Sequence, residues 1–383
     1  MKFNKKGKMK HLLIITAMLI SCTATGETEQ TPIPDMNYSY ELVTGGIEVP
    51  WGMTWLPNGD MLITDRGGKL FVYRNDELIE VPSSTLPDDI YANGQGGFLD
   101  VKVHPSYEEN NWIYFTYSSS KGTGEGANTA LIRGKLVNDE LTSVETLYKA
   151  TPNTSRGVHY GGRIEFDRNG FVFFSIGDRG NRDENPQDIT KDGGKVYRLM
   201  DDGSIPSDNP FVNEAGVKTA IYSYGHRNPQ GMEMNPATGK IWAHEHGPQG
   251  GDEINIIEPG KNYGWPIISF GINYNGTPFA EDTARAGMEQ PIKYWVPSIA
   301  PSGMTFVTTD KYPHWKGHLL VGSLKFNYVE LVKLDGDKVT GTEKLLEGIG
   351  RVRSIKQAPD GTIYVGITGQ GIFKVTATPV AAE

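Results

Sequence analysis

A single cysteine in 383 residues, Cys22, excludes any intramolecular disulfide. Long apolar stretches are missing too: the run at residues 12–20 is too short to cross a bilayer as a helix. No long amphipathic helical pattern is present. A chain with 47 Gly, 23 Pro, 18 Tyr and 14 Phe therefore points to one large β architecture rather than two ordinary domains. Positive charge is scarce, with 37 Lys and Arg against 46 Asp and Glu for a net charge of −9. Five of those lysines (Lys2, Lys5, Lys6, Lys8 and Lys10) lie in the first 21 residues, which hold no acid. The remainder carries 32 basic against 46 acidic groups, or −14. Such an acidic chain argues against nucleic acid and anionic lipid headgroups as partners.

The basic start followed by a short apolar run has the form of a signal peptide. It ends in Leu19-Ile20-Ser21-Cys22, which looks like a bacterial lipobox, in which cysteine becomes the lipidated first residue. The expected organisation is a lipoprotein-type signal peptide at 1–21, a polar tether at 22–37 and one catalytic domain at 38–379. Lipidation of Cys22, and Thr23 where an acidic residue would otherwise stand, imply an exported protein on the periplasmic face of the outer membrane. The membrane would be met through acyl chains alone. The alternative is an ordinary cleaved signal with an incidental cysteine.

Beyond the tether one pattern recurs: a hydrophobic strand, a turn of Pro, Asp, Asn and Gly, then a strand rich in aromatic and β-branched residues. Six copies stand at 52–65, 99–118, 162–178, 231–247, 303–323 and 354–369. Each reads as a β-hairpin. Six such units without a mid-chain composition break predict an all-β fold, a six-bladed β-propeller with four-stranded antiparallel blades. A pair of β-sandwiches would instead show a linker near the middle. Residues 40–43 are expected to pair with 371–376 and close the ring.

The polar loops between the hairpins carry the chemistry. Residues 224–266 pack Arg227, Asn228 and Gln230 into one turn, then a Gly247-Pro248 corner followed by Asp252 and Glu253. An arginine fork beside amides suits a planar, oxygen-rich anion. Backbone carbonyls backed by carboxylates suit a hard cation such as calcium. The plain alternative is that both are turns, because Gly, Pro, Asn and Asp favour turns for conformational reasons. Further loops hold Gln95 between glycines, His159 in GVHYGGR, Lys325 and Asn327 in GSLKFN, and Arg351 and Arg353 in GRVR. His159 is the general-base candidate, since a neutral imidazole takes a proton near neutral pH; a purely structural histidine is the alternative. Lys325, Arg351 and Arg353 could be solvated surface charges, but clustered with Arg227 on one face they would form a positive well selecting a polyanion. His104, His314 and His318 fall at hairpin turns. His244 and His246 lack the helical spacing of a zinc pair. The charged loop 178–183 has no role that spacing reveals.

In this order GQGGFLD, HYGGR, SIGDRG, GHRNPQG, EHGPQGGDEIN, GKNYGWP, GSLK and RVR resemble the soluble quinoprotein sugar dehydrogenases. These are six-bladed propellers using pyrroloquinoline quinone (PQQ) and calcium, and the resemblance runs from about residue 49 to 375. It implies His159 as the base and a quinone held by Gln95, Arg227, Asn228, Lys325, Asn327, Arg351 and Arg353. It also implies catalytic calcium on the carbonyls of Gly247 and Pro248, and a further calcium near Glu253 and Tyr263. Gln95, His159 and Tyr274 would meet the sugar. The implied reaction oxidises an aldose at its anomeric carbon to the lactone and passes electrons to an external acceptor. His159 would take the hydroxyl proton while hydride goes to the quinone, with calcium and Arg227 stabilising the developing charge. In glucose-oxidising members an acidic residue precedes the base, where Val158 stands here. The segment Lys293-Tyr294-Trp295-Val296 also shifts an aromatic by one position. Both departures favour broad aldose oxidation over glucose specificity. A calcium-dependent propeller lactonase and a non-catalytic carbohydrate-binding propeller are the alternatives. The lactonase has no use for a ring of cations.

Overall fold

Every one of the six hairpins forms, and each is the inner half of a four-stranded antiparallel sheet in a computed structural model that describes Met1 and residues 34–380. The signal sequence beyond Met1, and residues 22–33 of the tether with Cys22, lie outside the described residues. The innermost strands are Pro50–Trp55, Phe98–Val103, Ile164–Phe166, Pro229–Met234, Pro301–Phe306 and Val352–Gln357, and they neighbour one another in a ring. Among the described residues the only helical turns are Tyr107–Asn110 and the 3-10 turn Ser83–Thr85. The fold is therefore a six-bladed β-propeller.

Burial on both faces explains why. A strand in such a sheet buries both faces, one against each neighbouring blade, so its pattern is apolar throughout and breaks only at the turns. Met61–Asp65, Val172–Ile176 and Ile241–Glu245 are buried at every position. The hydrophobic clusters accordingly lie between blades. Leu62, Leu70 and Val72 meet Phe98, Phe115 and Ile132 across one seam, and Tyr114 and Leu131 meet Phe166, Phe174 and Tyr197 across the next. Each such side chain contributes about 1.5–3 kcal/mol when fully buried.

Close approach at the axis demands glycine. A Cβ on Gly52 would lie 2.7 Å from Asp100 Oδ1, and one on Gly303 would lie 2.3 Å from the Ile355 nitrogen. The recurring Gly-Met pair at the start of three hairpins marks such positions: Gly52 and Gly303 let neighbouring inner strands converge, Gly231 makes room for the His244 ring, and Met53, Met232 and Met304 are buried behind them.

The ring closes as expected, through Met36–Thr44 pairing antiparallel with Gly371–Pro379, Tyr40 opposite Val375. The strand starts at Met36, two residues ahead of the expected domain boundary. Tyr38 also stacks on Trp315 with centroids 4.1 Å apart, tying the closing strand to the preceding blade. Truncating the chain before Gly45 is expected to expose the Gly371–Pro379 edge, lower the melting temperature by several degrees and promote association. Thermal melting with size-exclusion chromatography checks this, and an unchanged monomeric melt would show that the closing strand is dispensable.

Strand direction then fixes which loops share a face. Connections entering an inner strand and connections leaving the second strand of a hairpin meet at the same end of the propeller. Gln95, His159, Arg227 and Arg351 belong to the first kind. Arg66, Asp178, Gly247 and Lys325 belong to the second.

Candidate active site

His159 sits in the left-handed backbone region, φ +53°, between the third blade and its entry loop. Its N–H donates to Gln95 Oε1 at 2.8 Å, which joins two of the expected site residues directly. Its Nδ1 lies 2.6 Å from Asp178 Oδ1. A carboxylate only accepts, so Nδ1 carries the proton and Nε2 keeps its lone pair. Asp178 is itself fixed on three sides: the Gly180 N–H donates to Oδ1 at 2.7 Å, the Trp265 indole N–H donates to Oδ2 at 2.9 Å, and its own N–H donates to the Arg227 carbonyl at 2.7 Å. Burial by itself would raise the Asp178 carboxyl, but the His159 hydrogen bond and the Arg227 charge override it and hold it below the usual range. Burial lowers His159 below its ordinary value; Asp178 opposes that shift, and Arg227 and Arg179 add to it. At neutral pH the imidazole is therefore an uncharged base with one defined tautomer.

Deeper along the axis stands a column of cations. Two guanidinium groups lie over the Trp51 ring, Arg163 at 3.9 Å and Arg353 at 4.5 Å from its centroid. Arg163 pairs with Asp100 at 3.3 Å. Arg353 Nη2 donates to Gln230 Oε1 at 2.7 Å, while its Nε is buried with no partner. Burial, then the like charges of Arg163, Arg66 and Arg351, push the Arg353 guanidinium well below its ordinary value. Arg66, Gln95, Tyr160, Asn228, Gln230, His246, Leu324, Arg351 and Arg353 line the pocket above Trp51. A site that brings so many cations together without enough carboxylates is built for a ligand that supplies them.

A second cavity adjoins it. Arg227, Glu245, His246, Gly247, Glu253, Tyr263 and Trp265 share its wall, which unites Gly247 with the pair expected at a further calcium. Asp252 shapes the Gly247-Pro248 corner: its Oδ1 accepts from Gly247 N–H at 2.8 Å, and Ser298 and Ala300 donate to the same carboxylate. Glu253 is half-buried, and desolvation together with Glu245 pushes it up to about 8. A carboxylate so destabilised is matched by a divalent cation, so the donor set fits calcium. His246 is held neutral by burial, down to about 3, with Nε2–H donating to the Pro301 carbonyl at 2.6 Å.

The structure thus gathers Gln95, His159, Arg227, Asn228, Arg351 and Arg353 around one opening. Arg227 is nine-tenths enclosed and donates from Nη1 to the His246 carbonyl at 3.1 Å. Arg351 donates to the Leu324 carbonyl at 3.0 Å, which places it beside Lys325. Lys325 and Asn327 are exposed on that same loop and do not line the pocket. Tyr274 stays outside, 74% exposed on a turn of the blade 4 insertion. Sequence reasoning missed Asp178, Arg66, Trp51, His246 and Trp265. One signal was available. The second strand of a hairpin repeatedly ends in an acid followed by a basic residue and glycine: Asp65-Arg66-Gly67, Asp178-Arg179-Gly180 and Glu245-His246-Gly247.

The glucose/sorbosone dehydrogenase family matches residues 47–373. The chain belongs to that family. It is 44% identical over 331 residues to the aldose sugar dehydrogenase YliI of Escherichia coli, covering 85% of this chain and 88% of that one. The solved apo-form of the soluble aldose sugar dehydrogenase from Escherichia coli superposes with a TM-score of 0.84 at 41% identity, covering 90% of this chain and all of the other. Quinoprotein glucose dehydrogenase B of Acinetobacter calcoaceticus is 29% identical over 359 residues, 85% of this chain and 73% of its own length. Members of the glucose/sorbosone dehydrogenase family named in this way are oxidoreductases acting on sugars, and the resemblance read from the motifs is correct.

Proposed function

We propose that this protein oxidises aldose sugars at the anomeric carbon to the lactone, using PQQ and calcium and passing the electrons to an external acceptor. The observation that carries this reading is the His159–Asp178 pair at 2.6 Å, joined through Gln95 to the pocket lined by a buried, undercompensated Arg353. A base with a fixed tautomer next to an anion site is what hydroxyl oxidation by a carboxylated cofactor requires.

Arg353, Arg351, Arg227, Gln95 and Asn228 would hold the quinone from inside the opening, and Lys325 and Asn327 from its rim. The carbonyls of Gly247 and Pro248 would hold the catalytic calcium, and Glu253 with Tyr263 a further one. When bound, the quinone supplies a hydride acceptor and calcium the charge that polarises it. His159 Nε2 takes the anomeric hydroxyl proton as C1 gives up hydride. Asp178 keeps the resulting imidazolium oriented and balanced. Gln95 fixes the His159 backbone and its amide faces the sugar. Arg227, stacked 5.3 Å from the Trp265 ring, offers a guanidinium to developing negative charge. Tyr274 would meet only the outer part of a sugar. Lipidation of Cys22 would tether the enzyme to the periplasmic face of the outer membrane. The guanidinium-lined axis favours this reading over a lactonase or a sugar-binding propeller.

Adding PQQ and Ca²⁺ to the apo-protein, with a redox dye and a panel of aldoses, tests it. Dye reduction by several aldoses, dependent on both additions, is expected. Tight quinone binding without reduction by any aldose would overturn it.

A further inference from the structure

Arg179 follows the carboxylate that orients the base, yet no step above uses it. The residue is fully buried, with φ +58°. Its guanidinium lies over the Tyr160 ring, Cζ 3.4 Å from the centroid. Nη1 donates to the Val158 carbonyl. Nη2 is shared among the Arg156 carbonyl at 2.8 Å, the Ala127 carbonyl at 3.2 Å and Thr154 Oγ1 at 3.2 Å. Among the described residues it makes no ion pair. A buried guanidinium held by carbonyl dipoles instead of a carboxylate is costly, and such a cost persists where the geometry it enforces is needed.

The acceptors show what is enforced. Thr154, Arg156 and Val158 precede His159, and Tyr160 follows it, so one planar fork grips the chain on both sides of the base. His159 itself is left-handed, a conformation uncommon for any residue but glycine and one that its surroundings must help to hold. The Gln95 hydrogen bond holds the His159 N–H, but nothing else described fixes the carbonyls of 156 and 158.

We propose that Arg179 is a positioning residue for the base: its fork locks the backbone of 154–160, so that His159 presents Nε2 to the substrate while Asp178 fixes its ring. Two adjacent residues on one turn thus set the two halves of the same side chain's geometry. This rests on His159 acting as the base. Lysine cannot substitute, because a single ammonium cannot reach carbonyls that far apart while stacking on a ring. The charges facing His159 are Asp178, which raises its pKa, and Arg227 and Arg179, which lower it, with His246 neutral nearby. Loss of Arg179 therefore also moves His159 upward.

Arg179→Gln and Arg179→Lys in the full chain test the proposal by two routes. In apo-protein, hydrogen exchange of the 156–160 amides and NMR titration of the His159 ring need no cofactor. Faster exchange in both variants is expected, with a titration midpoint displaced upward in Arg179→Gln. In reconstituted enzyme kcat should fall on the order of 10–100-fold in both. The sugar KM and the quinone Kd should change little, and the acid limb of Arg179→Gln should move to higher pH. Wild-type kcat in Arg179→Lys would overturn the proposal, since charge alone would then suffice; so would unaltered exchange in both variants. Should Arg179→Gln fail to fold, Thr154→Val removes one acceptor and keeps the arginine. A smaller loss in the same direction supports the clamp, and none refutes it. A wild-type enzyme inactive on every aldose would sink the assigned reaction, whereas the apo-protein measurements would still decide the clamp.

Discussion

His159→Ala is expected to lower kcat by roughly 10²–10⁴-fold, the usual contribution of a positioned general base, with the quinone affinity nearly unchanged. The imidazole touches the reaction through Nε2 alone, and the cations that would hold the cofactor come from other loops. Asp178→Asn should cost nearly as much although it removes no atom of the base. An amide nitrogen facing Nδ1 donates, which stabilises the tautomer with the proton on Nε2 and leaves no lone pair for the hydroxyl. Both variants should fold: His159 is half-buried at the opening, and an amide in place of the buried Asp178 carboxylate is nearly isosteric and keeps an oxygen for the Trp265 indole N–H. The pH profile separates them from wild type. His159 is held below its usual value by burial, so wild-type activity should persist to pH values somewhat below the ordinary histidine pKa and then fall as the imidazole protonates. A variant of Asp178 with full turnover and the same acid limb would show that the 2.6 Å contact does not set the tautomer.

Calcium removal should have the other large effect, visible without any turnover. Burial and Glu245 raise Glu253 from 4.5 to about 8, so in metal-free protein the folded state binds a proton that the unfolded state has lost. A raised carboxylate pKa contributes a penalty that is absent below pH 4.5, grows as pH rises, and is complete above about 8. At about 1.4 kcal/mol per unit, this amounts to a few kcal/mol and a melting shift of several degrees. With saturating Ca²⁺ the charge is matched, and the melting temperature should become nearly flat over the same window. Glu253→Gln should flatten the metal-free profile and abolish most of the calcium increment. Melting curves in chelator that match those in Ca²⁺ from pH 5 to 9 would remove calcium from this cavity.

The two carboxylates were unequally legible. Glu253 stands beside the Gly-Pro corner within one stretch of sequence, so its association with a cation site follows from neighbours a few residues away. Asp178 lies nineteen positions after His159, at the far end of a hairpin, inside a loop whose six residues are mostly charged. Only the fact that the second strand of a hairpin returns to the face where the first began brings the two together. The same holds for Arg66 and Arg163, which reach the axis from the first and third blades and meet Arg353 from the sixth. Lys325 and Asn327 show the converse. Their motif was plain, yet the loop turns their side chains to the rim while Leu324 and Arg351 line the pocket.

The sequence by itself determined the hairpins, their number and the loops that carry polar groups. Each of these depends on residues within about twenty positions, where period-two alternation and turn chemistry act directly. Tertiary structure alone decided which loop residues face one another. That outcome depends on the angle between blades and on closure through Met36–Thr44, and both are properties of the whole ring. The imidazole, its carboxylate and the stacked guanidinium groups around Trp51 become one site only when six separately encoded units are bent around a common axis.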